Sequence, residues 1–164
     1  MELRDAAEDD LPGLVTLYND VIATSTATYT STLVTLEERR QWWRARVAAG
    51  YPVLVALDDS GVIGFATFGD FRPWPGYRYT VEHTVHVRGD RRGGGVGTRL
   101  LQALFPRAAS LGKHMMVAGV DAANVASIRF HERLGFERSG CLREVGHKFD
   151  RWLDLVFLQR RIDA

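Results

Sequence analysis

Residues 79–98 read YTVEHTVHVRGDRRGGGVGT, and this stretch sets the organisation of the chain. Frequent β-branched residues up to Val87 are typical of a strand. The helical spacing of Val96, Leu100 and Leu104 begins directly after the glycines. A glycine-rich loop at a helix N-terminus exposes successive backbone N–H groups that bind an anion. The sequence therefore predicts a phosphate-binding turn inside a strand–helix–strand crossover.

The rest of the chain alternates between segments with strand and helix patterns. Turn residues and apolar spacing predict strands near residue 3 and over 52–57, 62–68, 77–87, 115–120, 136–148 and 152–160. They predict helices over 10–22, 35–50, 96–112 and 124–134. We expect an α+β fold with a mixed, mostly antiparallel central sheet flanked by helices, and a single parallel crossover around the glycine loop.

Composition narrows the class of protein. The chain has 164 residues, of which 46% are hydrophobic, and a formal net charge of +1. These values predict a single domain over residues 1–164 with no nucleic-acid or membrane partner. A single cysteine, Cys141, cannot close an internal disulfide, and no Cys/His cluster has metal-ligand spacing, so we expect a cytoplasmic protein without a metal.

The glycine loop departs from two common nucleotide motifs. A Walker loop needs Lys where Thr98 stands, and a dinucleotide fingerprint needs Gly at Thr98 or Leu100. A flexible turn before a helix is the alternative interpretation of such a cluster. The strand directly before the loop favours the binding interpretation.

Two ordered motifs carry a resemblance to a known family. Arg92-x-x-Gly95-x-Gly97 resembles the pyrophosphate-binding signature of the GCN5-related N-acetyltransferase (GNAT) family, and the segment from Asn124 to Phe136 resembles the next family motif. The resemblance covers nearly the whole chain. It is strongest to the phosphinothricin and methionine sulfone or sulfoximine N-acetyltransferases, in residues 69–74, 79–87 and 151–155.

The resemblance implies a GNAT-like fold with acetyl-CoA as cosubstrate. The pantetheine arm would lie along the exposed backbone of a strand edge, and the pyrophosphate would sit over the glycine loop. The cofactor-binding residues implied in this way are Val85, His86, Val87, Arg92, Gly93, Gly94, Gly95, Val96, Gly97, Thr98, Asn124 and Ser127.

Catalysis needs a group that removes a proton from the attacking amine. The resemblance implies that Glu82 is this base, whereas spacing alone favours a solvated carboxylate. His131 stands where many family members carry a tyrosine, and we expect an auxiliary acid or base there, with a structural histidine as the alternative. Strand alternation places Glu82 and His83 on opposite faces, so a shared pocket would require a bulge.

The residues before Glu82 predict an acceptor pocket with a clamp for a carboxylate. The resemblance implies substrate contacts by Arg72, Pro73, Trp74, Glu82, His83 and Thr84, and chemistry and position add Arg78 and Tyr29. We expect a small amino acid such as methionine sulfone, methionine sulfoximine or phosphinothricin to be acetylated on its α-amino group. The alternatives are a non-catalytic acyl-CoA sensor and an N-acetyltransferase for a polyamine or a protein terminus.

The resemblance also implies a homodimer. The apolar run over residues 153–158 fits an interface, and burial within one protomer explains it equally well.

Overall fold

The computed structural model describes residues 1–162, which form one seven-stranded sheet with four α-helices. In chain order the strands are β1 (Glu2–Asp5), β2 (Val53–Asp58), β3 (Gly61–Asp70), β4 (Thr80–Val87), β5 (Met115–Asp121), β6 (Glu137–Lys148) and β7 (Arg151–Arg161). The helices are α1 (Leu11–Thr24), α2 (Leu36–Ala48), α3 (Val96–Ser110) and α4 (Val125–Arg133).

The sheet is antiparallel except at one pair of strands. Its order is β1-β2-β3-β4-β5-β7-β6, and only β4 and β5 run parallel. These two strands are joined through the glycine loop and α3, which is the predicted crossover. The α+β expectation with a mostly antiparallel sheet is confirmed.

The core lies on both faces of the sheet because the inner strands alternate their side chains. Leu54 of β2 packs with Leu100 of α3 in a cluster that also holds residues of α4. Val53 and Val55 of β2 pack instead with Leu14 of α1. The sheet is therefore covered on each side by one helix pair. None of the helices within residues 1–162 is long and apolar enough to cross a membrane.

Local signals place the helix ends where the sequence predicts them. At the start of α2, Thr35 Oγ1 accepts a hydrogen bond from the backbone N–H of Glu38 at 3.2 Å, and Glu38 accepts from the Thr35 N–H at 2.7 Å. This reciprocal pair satisfies two donors that the first helical turn leaves free. After α2, Gly50 adopts φ +75°, a conformation that favours glycine.

One predicted boundary is wrong. Strand β4 begins at Thr80 rather than at residue 77, because Pro75–Tyr77 form a short 3-10 turn. The proline fixes φ at the start of this turn, and the N–H of Tyr77 donates to the carbonyl of Trp74 at 2.9 Å. The aromatic residues of this segment therefore lie in a loop before the strand.

Candidate active site

The main cleft lies where β4 and β5 separate. Their pairing ends at Glu82 and Val117, although β4 continues to Val87 and β5 to Asp121. The cleft between them has a volume of about 680 Å³. Because the strands diverge, side chains from both faces of β4 line one space. Glu82 and His83 line the same cleft without the bulge that strand alternation would require, since the register of β3 and β4 is continuous from Gly64 opposite Val87 to Asp70 opposite Val81.

The separation leaves one edge of β4 facing the cleft. The N–H of Arg88 donates to Ile63 of β3 at 2.9 Å, and hydrogen-bonding direction alternates along an antiparallel strand. The backbone groups of Val85 and Val87 therefore point away from β3, toward β5. An extended ligand with amide groups can pair with such an edge as an added strand.

The glycine loop has a backbone that other residues rarely adopt. Gly93 has φ +80° and Gly95 has φ +81°, and no atom lies within 4 Å of where a Cβ would stand at either position. Helix α3 begins at Val96 with Gly95 as its N-cap, so the first-turn N–H groups face the cleft without a side-chain cap. This combination of free N–H groups and helix dipole suits a diphosphate.

The three arginines around the loop have different partners. Arg88 pairs with Asp90 at 2.7 Å, and Arg91 pairs with both Asp58 and Asp90 at 2.8 Å. Arg92 instead donates from Nε to the carbonyl of Val87 at 3.3 Å. The charges of Arg88 and Arg91 are thus locally balanced, and Arg92 belongs to the strand edge of the cleft.

Glu82 has the environment of a general base. Its Oε1 lies 3.1 Å from where a Cβ on Gly119 would stand, and Leu155 and Phe157 meet the same position at 3.3 Å and 3.9 Å. Burial beside these groups raises the pKa of the Glu82 carboxyl, and the positive charge of Arg72 partly offsets the rise. A carboxylate with a raised pKa accepts a proton more readily near neutral pH.

His83 and His131 form a hydrogen-bonded pair on the other side of β4. Their Nε2 atoms are 3.0 Å apart, and His131 Nδ1 lies 2.7 Å from the carbonyl oxygen of Ser127. Burial lowers the pKa of both histidines. The nearby His131 and His86 lower the pKa of His83 further. Both rings are therefore neutral at neutral pH.

Asn124 has a structural role that its motif position does not reveal. Its side-chain oxygen caps α4 by accepting from the N–H of Ser127 at 3.0 Å, and its own N–H donates to Asp121 at 2.8 Å. This arrangement holds the start of α4 at the cleft. Asn124 also lines the cleft, and its side-chain amide nitrogen is a hydrogen-bond donor.

The predicted cofactor and catalytic residues come together in the cleft. Of the implied set, Gly94 does not line it; the residues that do are Glu82, Val85, His86, Val87, Arg92, Gly93, Gly95, Val96, Gly97, Thr98, Asn124, Ser127 and His131. His83 and Thr84 line the same space. Residues from four separate elements are therefore brought together by the fold.

The predicted substrate residues outside β4 do not line this cleft. Arg72 lies near Glu82 and stacks 5.3 Å from the ring of Phe71. Trp74 is 68% exposed, and Arg78 stacks on Tyr79 while donating to the carbonyl of Pro75. Pro73 is also exposed, and the hydroxyl of Tyr29 donates to the carbonyl of Asp154 at 2.9 Å. Arg72 is thus the predicted clamp residue nearest to the base.

In the loop after α1, sequence reasoning named only Tyr29 and missed the residues that line the cleft. Ser25, Ala27 and Thr28 line the cleft, and Lys148 Nζ holds the loop by donating to the carbonyls of Ser25 at 2.6 Å and Thr28 at 2.9 Å. Thr26 donates to Asp121 at 2.5 Å. More than a hundred residues separate Lys148 from this loop, so no local sequence signal could have revealed the contact.

Comparisons with known proteins agree on one family. The model of the Acetyltransferase (GNAT) family matches residues 14–136. An L-methionine sulfoximine/L-methionine sulfone acetyltransferase of Pseudomonas paraeruginosa is 52% identical over 98% of this chain and 94% of its own length.

Two solved structures share the fold over nearly the whole chain. A phosphinothricin acetyltransferase from Sinorhizobium meliloti in complex with acetyl-CoA has a TM-score of 0.94 and 37% identity, covering 98% of this chain and 88% of that chain. A ribosomal-protein-alanine N-acetyltransferase from Brucella melitensis has a TM-score of 0.96 and 45% identity, covering 98% and 99% respectively.

Proposed function

Since the chain belongs to the acetyltransferase (GNAT) family, we propose that it acetylates the α-amino group of a small amino acid such as methionine sulfone, methionine sulfoximine or phosphinothricin. Acetyl-CoA is the acetyl donor. The observation that carries the proposal is the divergence of β4 from β5 directly after Glu82. It joins a free strand edge, an anion-binding turn and a desolvated carboxylate in one cleft.

The cleft fits the donor on structural grounds. The cleft-facing edge at Val85 and Val87 suits the amides of a pantetheine arm, and the turn from Gly93 to Thr98 suits a diphosphate. The thioester supplies an activated acyl carbon. The N–H of Val85 faces the cleft and can donate to the carbonyl oxygen as negative charge develops there.

Glu82 prepares the acceptor. An α-amino group has a pKa of about 8 and is mostly protonated at neutral pH, whereas only the free amine attacks a thioester. The half-buried Glu82 carboxylate takes a proton from the ammonium group, directly or through water. Because the pKa of Glu82 is raised, the proton affinity of its carboxylate is closer to that of the amine.

The positive charge of Arg72 favours an amino acid as acceptor. A guanidinium near the base binds a carboxylate through forked hydrogen bonds, and a free amino acid carries a carboxylate next to its amine. A polyamine would be repelled by the same charge. A protein terminus is the second candidate, because one structure of high similarity is named for acetylation of a ribosomal-protein alanine.

Thiol release from acetyl-CoA tests the proposal. The purified chain is assayed with free amino acids, oxidised-sulfur and phosphinate analogues, a polyamine and peptides that begin with alanine. We expect release with the amino-acid analogues and a raised KM for the acceptor in Arg72→Ala. Arg107→Ala, which removes only a surface ion pair with Asp5, is the matched control.

Two other results would each contradict the proposal. Release with alanine peptides alone would favour the protein-terminus activity. Thermal stabilisation by acetyl-CoA without product from any amine would favour a non-catalytic sensor.

We also propose a cytoplasmic homodimer. Strand β6 is a sheet edge, and the β6–β7 hairpin exposes large apolar side chains at Leu142, Val145 and Trp152, which are 46%, 55% and 66% accessible. An exposed apolar edge of this kind suits a second copy of the chain. The run over residues 153–158 gives weaker support, since Leu153, Val156 and Leu158 are buried within the protomer. Sedimentation at several concentrations tests the assembly, and a monomer throughout would refute it.

A further inference from the structure

Two apolar side chains of β7 lie outside the protein core. Strand alternation places Leu155 and Phe157 on the face opposite to Val156 and Leu158, which pack in the core cluster that contains α3. Leu155 and Phe157 are half-buried, and neither belongs to the two hydrophobic clusters of the part of the chain that the structure describes. The strand residues in the cluster beside α1 come from β2 and β3. Large apolar side chains left uncovered on an inner strand indicate that something else packs against them.

This uncovered face lies directly beside the proposed base. Gly119 of the neighbouring strand β5 is exposed and lines the cleft. A Cβ on Gly119 would stand 3.1 Å from Glu82 Oε1. The same point lies 3.3 Å from Leu155 Cδ1 and 3.9 Å from Phe157 Cε1. The carboxylate and the two apolar side chains therefore surround one place above β5, and a glycine there lets a ligand approach the strand closely.

The ring of Phe157 also connects this face to Arg72. It makes an edge-to-face contact with the ring of Phe71, with 6.2 Å between the centroids, and the guanidinium of Arg72 stacks on Phe71 at 5.3 Å. The positive charge of Arg72 in turn acts on the Glu82 carboxylate. A negative group, a positive group and an apolar surface thus lie close to one another.

We propose that Leu155 and Phe157 form the subsite for the side chain of the acceptor amino acid and determine which side chains are accepted. The inference rests on the proposed acetyl transfer. Glu82 takes the ammonium group and Arg72 takes the carboxylate. The side chain is the third group on the α-carbon, and it lies over Gly119 against the apolar surface of the subsite.

The subsite fits a side chain with an unbranched apolar stem. Leu155 and Phe157 offer no hydrogen bond, so a charged group next to the β-carbon would lose its water without gaining a partner. Glu82 Oε1 and Leu155 Cδ1 both lie within 3.3 Å of one point above Gly119, so the passage between them is too narrow for a β-branched chain. Methionine sulfone and phosphinothricin both place their polar group beyond the β- and γ-methylenes, which are the part that packs on the subsite.

The contacts of a bound acceptor can be measured without acetyl transfer. Free coenzyme A replaces acetyl-CoA, so that methionine sulfone binds to the wild-type protein and does not react. We expect intermolecular nuclear Overhauser effects from its β- and γ-methylene protons to the methyl groups of Leu155 and the ring of Phe157. A bound acceptor with effects to neither residue would overturn the proposal.

A linear series of acceptors tests the subsite in the reaction. Alanine, 2-aminobutyrate and norvaline differ by single methylenes, and each added methylene should raise the wild-type kcat/KM about fourfold. In Leu155→Ala the increase should fall below about twofold for each methylene, whereas Leu155→Met should keep most of it. Leu155→Phe narrows the passage and should lower kcat/KM for methionine sulfone on the order of tenfold more than kcat/KM for alanine.

Leu111→Ala is the matched control for the Leu155 variants. Leu111 lies at the end of α3 and is 41% exposed, so the wild-type series should be retained. Melting temperature and acetyl-CoA affinity are compared for every variant, and both should stay close to the wild-type values in Leu155→Ala because Leu155 lies outside the core clusters.

The outcomes separate this inference from the proposed function. The same dependence on side-chain length in the wild type, Leu155→Ala and Leu155→Phe would overturn the subsite in an active enzyme. Weaker self-association of Leu155→Ala in sedimentation, with an unchanged acceptor series, would assign the uncovered face to a second copy of the chain. A wild-type protein that acetylates no amine would refute the proposed function and the subsite together.

Discussion

Gly119 leaves space for the carboxylate of Glu82, the proposed base, and Gly119→Ala tests whether the reaction needs the carboxylate in this position. A Cβ there would stand 3.1 Å from Glu82 Oε1 and 3.3 Å from Leu155 Cδ1. Ordinary contacts begin at 3.4 Å, so the carboxylate must withdraw by about 0.3 Å. Displacing a catalytic group by 1 Å lowers the rate on the order of 100-fold. A displacement of about 0.3 Å should therefore lower kcat about fourfold, which raises the activation barrier by about 0.8 kcal/mol.

Steady-state thiol release with methionine sulfone and saturating acetyl-CoA measures the effect on kcat. Gly140→Ala is the matched control, because a Cβ at that position of the same sheet meets nothing within 4 Å. Calorimetry should give the same acetyl-CoA affinity for both variants and the wild type. An unchanged kcat in Gly119→Ala, or an equal loss in Gly140→Ala, would refute the placement of the base over Gly119.

Further predictions concern the base, the loop after α1 and the glycine turn. Glu82→Gln should lower kcat by about 100- to 10,000-fold without changing acetyl-CoA affinity, and equal turnover would exclude Glu82 as the base. Because the pKa of Glu82 is raised and the ionised form is the base, kcat/KM in the wild type should fall with decreasing pH at values above the ordinary carboxyl pKa; a profile flat to pH 4 would contradict this. Lys148→Met leaves the carbonyls of Ser25 and Thr28 without their donor, so the acceptor KM should rise and stability should fall by about 1–3 kcal/mol, as measured by kinetics and urea unfolding. Gly95→Ala strains a residue at φ +81° and should weaken acetyl-CoA binding in calorimetry, with Gly76→Ala, which has open space and no positive φ, as control.

Local signals were sufficient for most elements of the fold. The capping box at Thr35, the hairpin turn over residues 58–61 and the glycine stops are encoded within a few residues, so their elements were predicted close to the observed bounds. The start of β4 was misplaced because Tyr77 and Tyr79 have strand propensity while Pro75 imposes a turn. Propensity gave way there to the geometry of the neighbouring proline.

The candidate site was predicted mainly from two short stretches of sequence. The predicted residues of β4 and the glycine loop come from one stretch and, except for Gly94, line the cleft, as do Asn124, Ser127 and His131 from the second motif. Arg72 and Arg78 were both predicted to bind the substrate carboxylate. Arg72 lies near Glu82, whereas the guanidinium of Arg78 stacks on the Tyr79 ring and donates to the carbonyl of Pro75. Spacing along the chain cannot distinguish these two arginines, since their partners depend on the path of the loop.

The sequence alone determined that a strand, an anion-binding turn and a helix follow one another, because φ preferences, caps and hydrophobic period act over a few residues. Tertiary structure decided what surrounds the chemistry. The divergence of β4 and β5 after Glu82 opens the cleft to both faces, and the contact of His83 with His131 joins residues from a strand and a helix. Burial and long-range hydrogen bonds of this kind arise only when distant segments pack, and they set which nitrogen carries a proton and how basic a carboxylate is.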